Sequence, residues 1–163
     1  MRKTGLLILG FSLFWQIHSA FALDQNQKKL HPLNLNLPAG VRINIFAGNV
    51  PRARHMAFDD QGVLFLSQAK AGKVVALPDN DKNGEADQTI PILEDRGMPH
   101  GLAFAKLDEG YYLYIAEETQ VVRMKRLQNP FSYGKPESII DGIPGGGHFS
   151  RTLKIKDNKL YLS

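Results

Sequence analysis

Three histidines recur at matching places in this chain: His55, His100 and His148, spaced 45 and then 48 residues apart. Imidazole titrates near neutrality, so each could take a proton from a substrate hydroxyl. Arg54 and Arg151 stand close to the first and last of them in sequence, and guanidinium beside imidazole suits an anionic ligand. Two alternatives compete with this reading. Each ring could tie a strand start to a loop by one hydrogen bond. The three could also ligate zinc, although no Asp or Glu flanks them closely. Gly145-Gly146-Gly147 precedes His148 and would let backbone pass close to a ligand, or simply make a tight turn. It is no phosphate loop, because no Lys-Ser/Thr follows.

A second constellation is Asp79, Asp81, Asn83 and Asp87. Oxygen side chains fall at positions 1, 3, 5 and 9 of a loop with Gly84 at position 6, as in the first part of a calcium loop. Position 12 is Ile90, so the bidentate glutamate is missing. Calcium binding at a weak, structural site is one expectation; an acidic surface turn is the other.

These groups need elements to hold them, and the elements repeat. Arg54-His55-Met56-Ala57-Phe58 leads through an Asp/Gly turn to Val63–Ser67. Pro99-His100-Gly101-Leu102-Ala103-Phe104 leads through Asp108-Glu109-Gly110 to Tyr111–Ala116. Gly147–Leu153 leads through Lys156-Asp157-Asn158 to Lys159–Ser163. Third strands are legible at 72–77 and 120–124, and fourth strands at 89–93 and 137–140. Four short strands at a period near 45 residues spell β-propeller blades. The sequence therefore predicts an all-β protein with about two and a half blades over residues 37–163. Helix content after the N-terminal segment should be close to nil. A β-sandwich does not explain why the same words recur in the same order. In a propeller the first strand of each blade lines the axis, so the three histidines are expected to share one position and to converge at the channel mouth, with Arg54 and Arg151 beside them.

The N-terminus has the three-part build of a secretory signal. Arg2 and Lys3 are followed by an apolar run to Trp15 and by Ala20-Phe21-Ala22, which predicts cleavage after Ala22. Gln16, His18 and Ser19 cut the run short of the ~20 residues a bilayer core demands. Residues 23–36 read as a polar lead-in. The periplasm or the exterior is the expected destination, with no stable membrane span after cleavage. The whole chain of 163 residues carries a net charge of +4. Arg2 and Lys3 supply two of those charges, and the remaining basic residues are scattered, so nucleic acid is not an expected partner. The chain has no cysteine. A disulfide framework, a cysteine-zinc site and a thiol nucleophile are thereby excluded.

The ordered set Leu37-Pro38-Ala39-Gly40, Ala53–Ala57, Gly72–Asp79, Met98–Phe104, Ala116–Thr119 and Gly145–Leu153 resembles a known family. It is similar to bacterial sorbosone and pyranose dehydrogenases that use pyrroloquinoline quinone, relatives of the soluble quinoprotein glucose dehydrogenase. The resemblance implies a six-bladed propeller with the quinone over its axis. It implies hydride transfer from a sugar hydroxyl carbon to the quinone, assisted by a histidine base. His148 lies in the segment similar to the one bearing that base, which makes it the expected catalytic residue. Arg54, His55, His100 and Arg151 are the expected cofactor- and substrate-binding residues. Most of the family's quinone-holding cations lie in later blades, so residues 1–163 by themselves are expected to be inactive. The electron acceptor is left open. The rival expectation is a non-enzymatic exported propeller that binds a partner or a glycan at its channel mouth.

Overall fold

The computed structural model describes residues 35–163. The expected signal (1–22) and most of the lead-in lie outside them. Residues up to Ile45 form one unit and Phe46–Ser163 another. The described part of the first unit has no regular element beyond a turn in which Val41 N–H donates to the Pro38 carbonyl, with Gly40 at φ +82°.

The second unit is built from ten strands in three antiparallel sheets. Strands β1 (His55–Phe58), β2 (Leu64–Gln68), β3 (Lys73–Leu77) and β4 (Ile90–Leu93) make one four-stranded meander. A second consists of β5 (Leu102–Leu107), β6 (Gly110–Ala116), β7 (Val121–Lys125) and β8 (Glu137–Ile140). The hairpin of β9 (Leu153–Lys156) and β10 (Lys159–Leu162) begins a third. These are two blades and half of another, the β-propeller architecture the repeat implied. Among the described residues the helical geometry is a 3-10 turn at Ala69–Ala71, closed by Gly72 at φ +66°.

Local chemistry explains the turns. Asp59 Oδ1 accepts from the backbone N–H groups of Gln61 and Val63, at 2.9 and 2.8 Å, and so folds the β1–β2 link around itself. Asp157 and Asn158 both take positive φ (+49° and +55°) in the two-residue β9–β10 link. That is what a primed hairpin turn requires, and Asn and Asp tolerate it best. The blades repeat down to their irregularities: β3–β4 slips register between Val74 and Val75, and β7–β8 slips at the corresponding Val121 and Val122.

Strand register shows which residues correspond. Met56 pairs with Leu66, Leu102 with Ile115 and Leu153 with Leu162. Alternate residues of each blade then face opposite neighbours. Leu102, Leu113 and Ile115 of blade 2 bury against Phe65, Val74 and Ala76 of blade 1. Tyr112, Tyr114, Ala116 and Val121 on the other face of blade 2 bury against Leu153 of the third unit. Met56 and Phe58 correspond to Leu102 and Phe104 but are 62% and 67% exposed, because they lie on the face of blade 1 turned away from blade 2. Residues Phe46, Ala47 and Val50 cover the neighbouring Leu66, Val75 and Leu77 on that face.

Blades 1 and 2 are also latched at the end remote from the histidines. Arg126 forks onto Asp60 with bonds of 2.7 and 3.1 Å and stacks over the Tyr111 ring at 4.0 Å. Burial pushes the Tyr111 phenol up to about 12, so it stays protonated and accepts from the Asp60 N–H at 2.8 Å.

Candidate functional site

Counting back two residues from the paired positions of β1, β5 and β9 gives Arg54, His100 and Arg151. These three occupy the same place in their units. The expectation that the three histidines do so is corrected by the register. His55 stands one residue after that place, and His148 three before it. A one-residue offset in a strand turns a side chain to the opposite face, so equivalent spacing in sequence did not mean equivalent orientation.

The fold nonetheless gathers most of the expected residues. The His55 and His100 rings have centroids 5.6 Å apart, and the His100 ring meets Phe149 edge-on at 6.5 Å. The Arg54 guanidinium lies over Phe149 at 5.5 Å and donates to Ser150 Oγ at 2.9 Å. Ser67, fully buried at the end of β2, accepts from the His55 N–H at 3.1 Å and donates to the His100 carbonyl at 2.8 Å. One hydroxyl thus ties the two histidine segments together.

Arg151 faces protein with all of its guanidinium nitrogens. Nε donates to the Glu118 carbonyl at 3.2 Å, Nη2 to Pro144 at 2.8 Å, and Nη1 to His148 at 3.1 Å. It fastens the 144–150 loop to blade 2. His148 is exposed, and among the described residues its ring makes no hydrogen bond or ring contact. Gly146 and Gly147 take φ of +91° and +76° with open space where a side chain would stand, so the loop before His148 is a turn with free approach on that side.

His100 is 7% exposed and arrives on a strained loop. Asp95 and Met98 both take left-handed backbone, at φ +56° and +54°, a conformation that costs about 1–3 kcal/mol per non-glycine residue. What holds the loop is an ion pair the sequence reading missed. Arg96 donates from Nε to Glu117 Oε1 at 2.6 Å and from Nη2 to Oε2 at 3.1 Å, and Gln120 donates to the same carboxylate at 2.7 Å. Nothing in the spacing of Arg96 and Glu117 distinguishes them from surface charges. Their partnership exists only because β6 ends beside the β4–β5 connection.

Gly101 was also missed, although it stands inside a quoted motif. A Cβ there would overlap the Arg151 carbonyl oxygen and lie 2.8 Å from the Leu153 nitrogen. The third unit can approach blade 2 only at glycine. Gly101→Ala should cost about 1–3 kcal/mol by overpacking. It should also break the contact between His100 Nδ1 and the Arg151 carbonyl, 3.0 Å in this structure. Denaturant melts with an unchanged midpoint would refute the close approach.

Both clustered imidazoles are held below their ordinary value. Burial is the main cause at His55, and the neighbouring His100 adds to it. At His100 burial again leads; the contact with the Arg151 carbonyl opposes it, and the Arg54 charge lowers the value further. Unfolded histidine titrates near about 6.5, above both folded values, so the unfolded chain binds more protons in that window. The associated stability is complete above about pH 6.5 and is lost as pH falls through the folded values. Thermal melts should therefore drop between about pH 7 and pH 5. A His55→Asn/His100→Asn variant should show a shallower drop; an equal slope would exclude these two groups as its source.

The loop between β3 and β4 turns its oxygen atoms inward on its own backbone. Asp79 accepts from the N–H groups of Asn83 and Gly84, at 3.1 and 3.0 Å. Asp81 accepts from Asn83 N–H and Nδ2. Asp87 accepts from Asn80 N–H and Nδ2, both at 2.7 Å. Among the described residues no three His, Asp or Glu side chains come together as a group that could hold a metal ion. The N–H groups of Asn83 and Gly84 thus order Asp79 and Asp81 around one acidic turn, and Asp87 is tied to Asn80. No described helix is long and apolar enough to cross a membrane.

Comparison with solved structures finds the same fold in the PQQ domain of a pyranose dehydrogenase from Coprinopsis cinerea, in its holo form. The match has 17% identity and a TM-score of 0.64, covering 75% of this chain and 29% of that one. A calcium structure of a Trichoderma reesei carbohydrate-active enzyme of family AA12 matches at 20% identity and a TM-score of 0.63, covering 74% and 31%. An iodide structure of that family from the same organism matches at 22% and 0.60. The chain thus spans about three tenths of the length of the solved relatives it matches. No curated protein matches it significantly. The model of the TrAA12-like family matches residues 35–162, nearly all of the described chain, and by that match the chain belongs to the TrAA12-like family.

Proposed function

We propose that this chain forms part of the channel wall of an exported, quinone-dependent sugar dehydrogenase that oxidises a sorbosone-type sugar. The observation that carries the reading is the shared strand-start position of Arg54, His100 and Arg151, which sets cations and a neutral imidazole side by side at the mouth of successive blades. Family membership and the likeness to a PQQ domain support it. The residues present suit an anionic quinone: the exposed Arg54 guanidinium would hold one of its carboxylates, and the flat Phe149 ring backs that charge. Bound quinone supplies the two-electron acceptor that such an oxidation needs. His148 is the residue that would take the proton of the reacting hydroxyl, and its exposure leaves the ring accessible. Arg151 would position it by holding its carbonyl. The signal-like segment at residues 1–22 supports a periplasmic or secreted site of action.

Equilibrium dialysis against pyrroloquinoline quinone tests this. A completed six-bladed protein carrying this segment should retain the quinone saturably, and Arg54→Ala should weaken retention by about tenfold, the worth of one charge-assisted hydrogen bond. Absence of retention by that unaltered protein would overturn the quinone reading.

A further inference from the structure

The backbone fixes opposite hydrogen-bonding patterns on His55 and His100. The Leu102 N–H donates to His55 Nδ1 at 3.3 Å. That nitrogen must present a lone pair, so in the neutral ring the proton sits on Nε2. His100 Nδ1 lies 3.0 Å from the Arg151 carbonyl oxygen. A carbonyl only accepts, so here Nδ1 carries the proton and Nε2 bears the lone pair. Burial favours the neutral form of both rings.

Neither Nε2 has a partner among the described residues. The buried side-chain nitrogen and oxygen atoms that lack one are Asp59 Oδ2 and Tyr133 Oη, at the remote end of the blades. Both Nε2 atoms therefore reach solvent. Two rings with centroids 5.6 Å apart thus carry one donor nitrogen and one acceptor nitrogen between them.

We propose that His55 and His100 act as a matched donor–acceptor pair that captures a single hydroxyl group of a carbohydrate. The hydroxyl oxygen accepts from His55 Nε2–H while its hydrogen is donated to His100 Nε2. A hydroxyl is the smallest organic group that does both. A carboxylate would set its charge against the His100 lone pair, and an ammonium has nothing to accept with. An ether satisfies His55 alone. The carbohydrate assignment rests on the functional reading above; the two tautomers do not.

The tautomers are read by long-range proton–nitrogen correlation spectra of the ¹⁵N-labelled chain at about pH 8, where both rings are neutral. His55 should appear as Nε2–H and His100 as Nδ1–H. The same tautomer on both rings, of either kind, overturns the proposal. D-glucose should then shift both sets of ring signals along one saturation curve. His55→Phe and His100→Phe, which keep a ring in place, should each weaken the apparent affinity about tenfold. Dioxane, which has ether oxygens and no O–H, should leave the His100 signals unmoved. No response to D-glucose, or an equal response of His100 to dioxane, overturns it. The two readings fail separately: glucose binding without quinone retention leaves the pair standing and removes the quinone, and the converse removes the pair alone.

Discussion

Arg96→Ala should destabilise the Phe46–Ser163 unit by about 3–5 kcal/mol, the cost of breaking a buried ion pair from one side. Glu117 is 1% exposed, and without Arg96 its carboxylate keeps only the Gln120 amide. The opposite truncation, Glu117→Ala, should cost less, because the Arg96 side chain is 24% exposed and can turn its charge to water. Arg96→Met combined with Glu117→Leu should recover much of the loss, since an apolar pair of similar volume removes both desolvation penalties. Urea melts of the four proteins test this order. Equal losses for the two single variants would mean that the carboxylate is not the group left stranded. The consequence reaches the site. The loop that this pair secures carries Asp95 and Met98 in left-handed backbone and ends at His100, so local opening there should displace the imidazole before the sheets melt.

In a completed six-bladed protein carrying this segment, His148→Ala should slow quinone-dependent sugar oxidation by ~10²–10⁴-fold, the usual contribution of a general base. The structure makes this a clean measurement. The His148 ring is exposed and without contacts among the described residues, so its loss should change stability by no more than about 0.5 kcal/mol. A slowed rate with an unshifted melt would assign the effect to chemistry. An unchanged rate would move the base to His100, whose Nε2 also reaches solvent. Arg151→Lys supplies the contrast. Lysine cannot reproduce a fork that reaches Glu118, Pro144 and His148 together. It should therefore loosen the 144–150 loop and lower the rate while leaving the blades intact.

How much of this was legible in the sequence depends on the range of the interaction. The strands, their four-fold grouping and most turns were written locally. Alternating apolar residues mark the strand faces, and the Asp59–Gly62 and Asp157-Asn158 turns use side chains that tolerate the backbone they need. The third and fourth strands of both blades fall within about a residue or two of where their apolar runs placed them. Assigning equivalence between repeats was the step that failed. Spacing sets histidine against histidine, whereas hydrogen bonding aligns Arg54 with His100 and Arg151. A repeat is defined by the pairing of its second strand, and that pairing shifts every side chain by whole faces when it moves one residue.

Residue types and order by themselves determined the all-β repeat, the absence of thiol chemistry and the gathering of imidazole and guanidinium at blade starts. Only the tertiary structure decided what each of those groups does. Arg151 became a brace and not a free cation because the 144–150 loop offered its carbonyls. His55 and His100 acquired opposite tautomers because one meets an amide and the other a carbonyl. The two histidine contacts and the Arg151–Glu118 bond join residues some 30 to 50 positions apart. Sequence pattern records the propensity of each segment, and it carries no term for which donor will meet which acceptor once the blades close on one another.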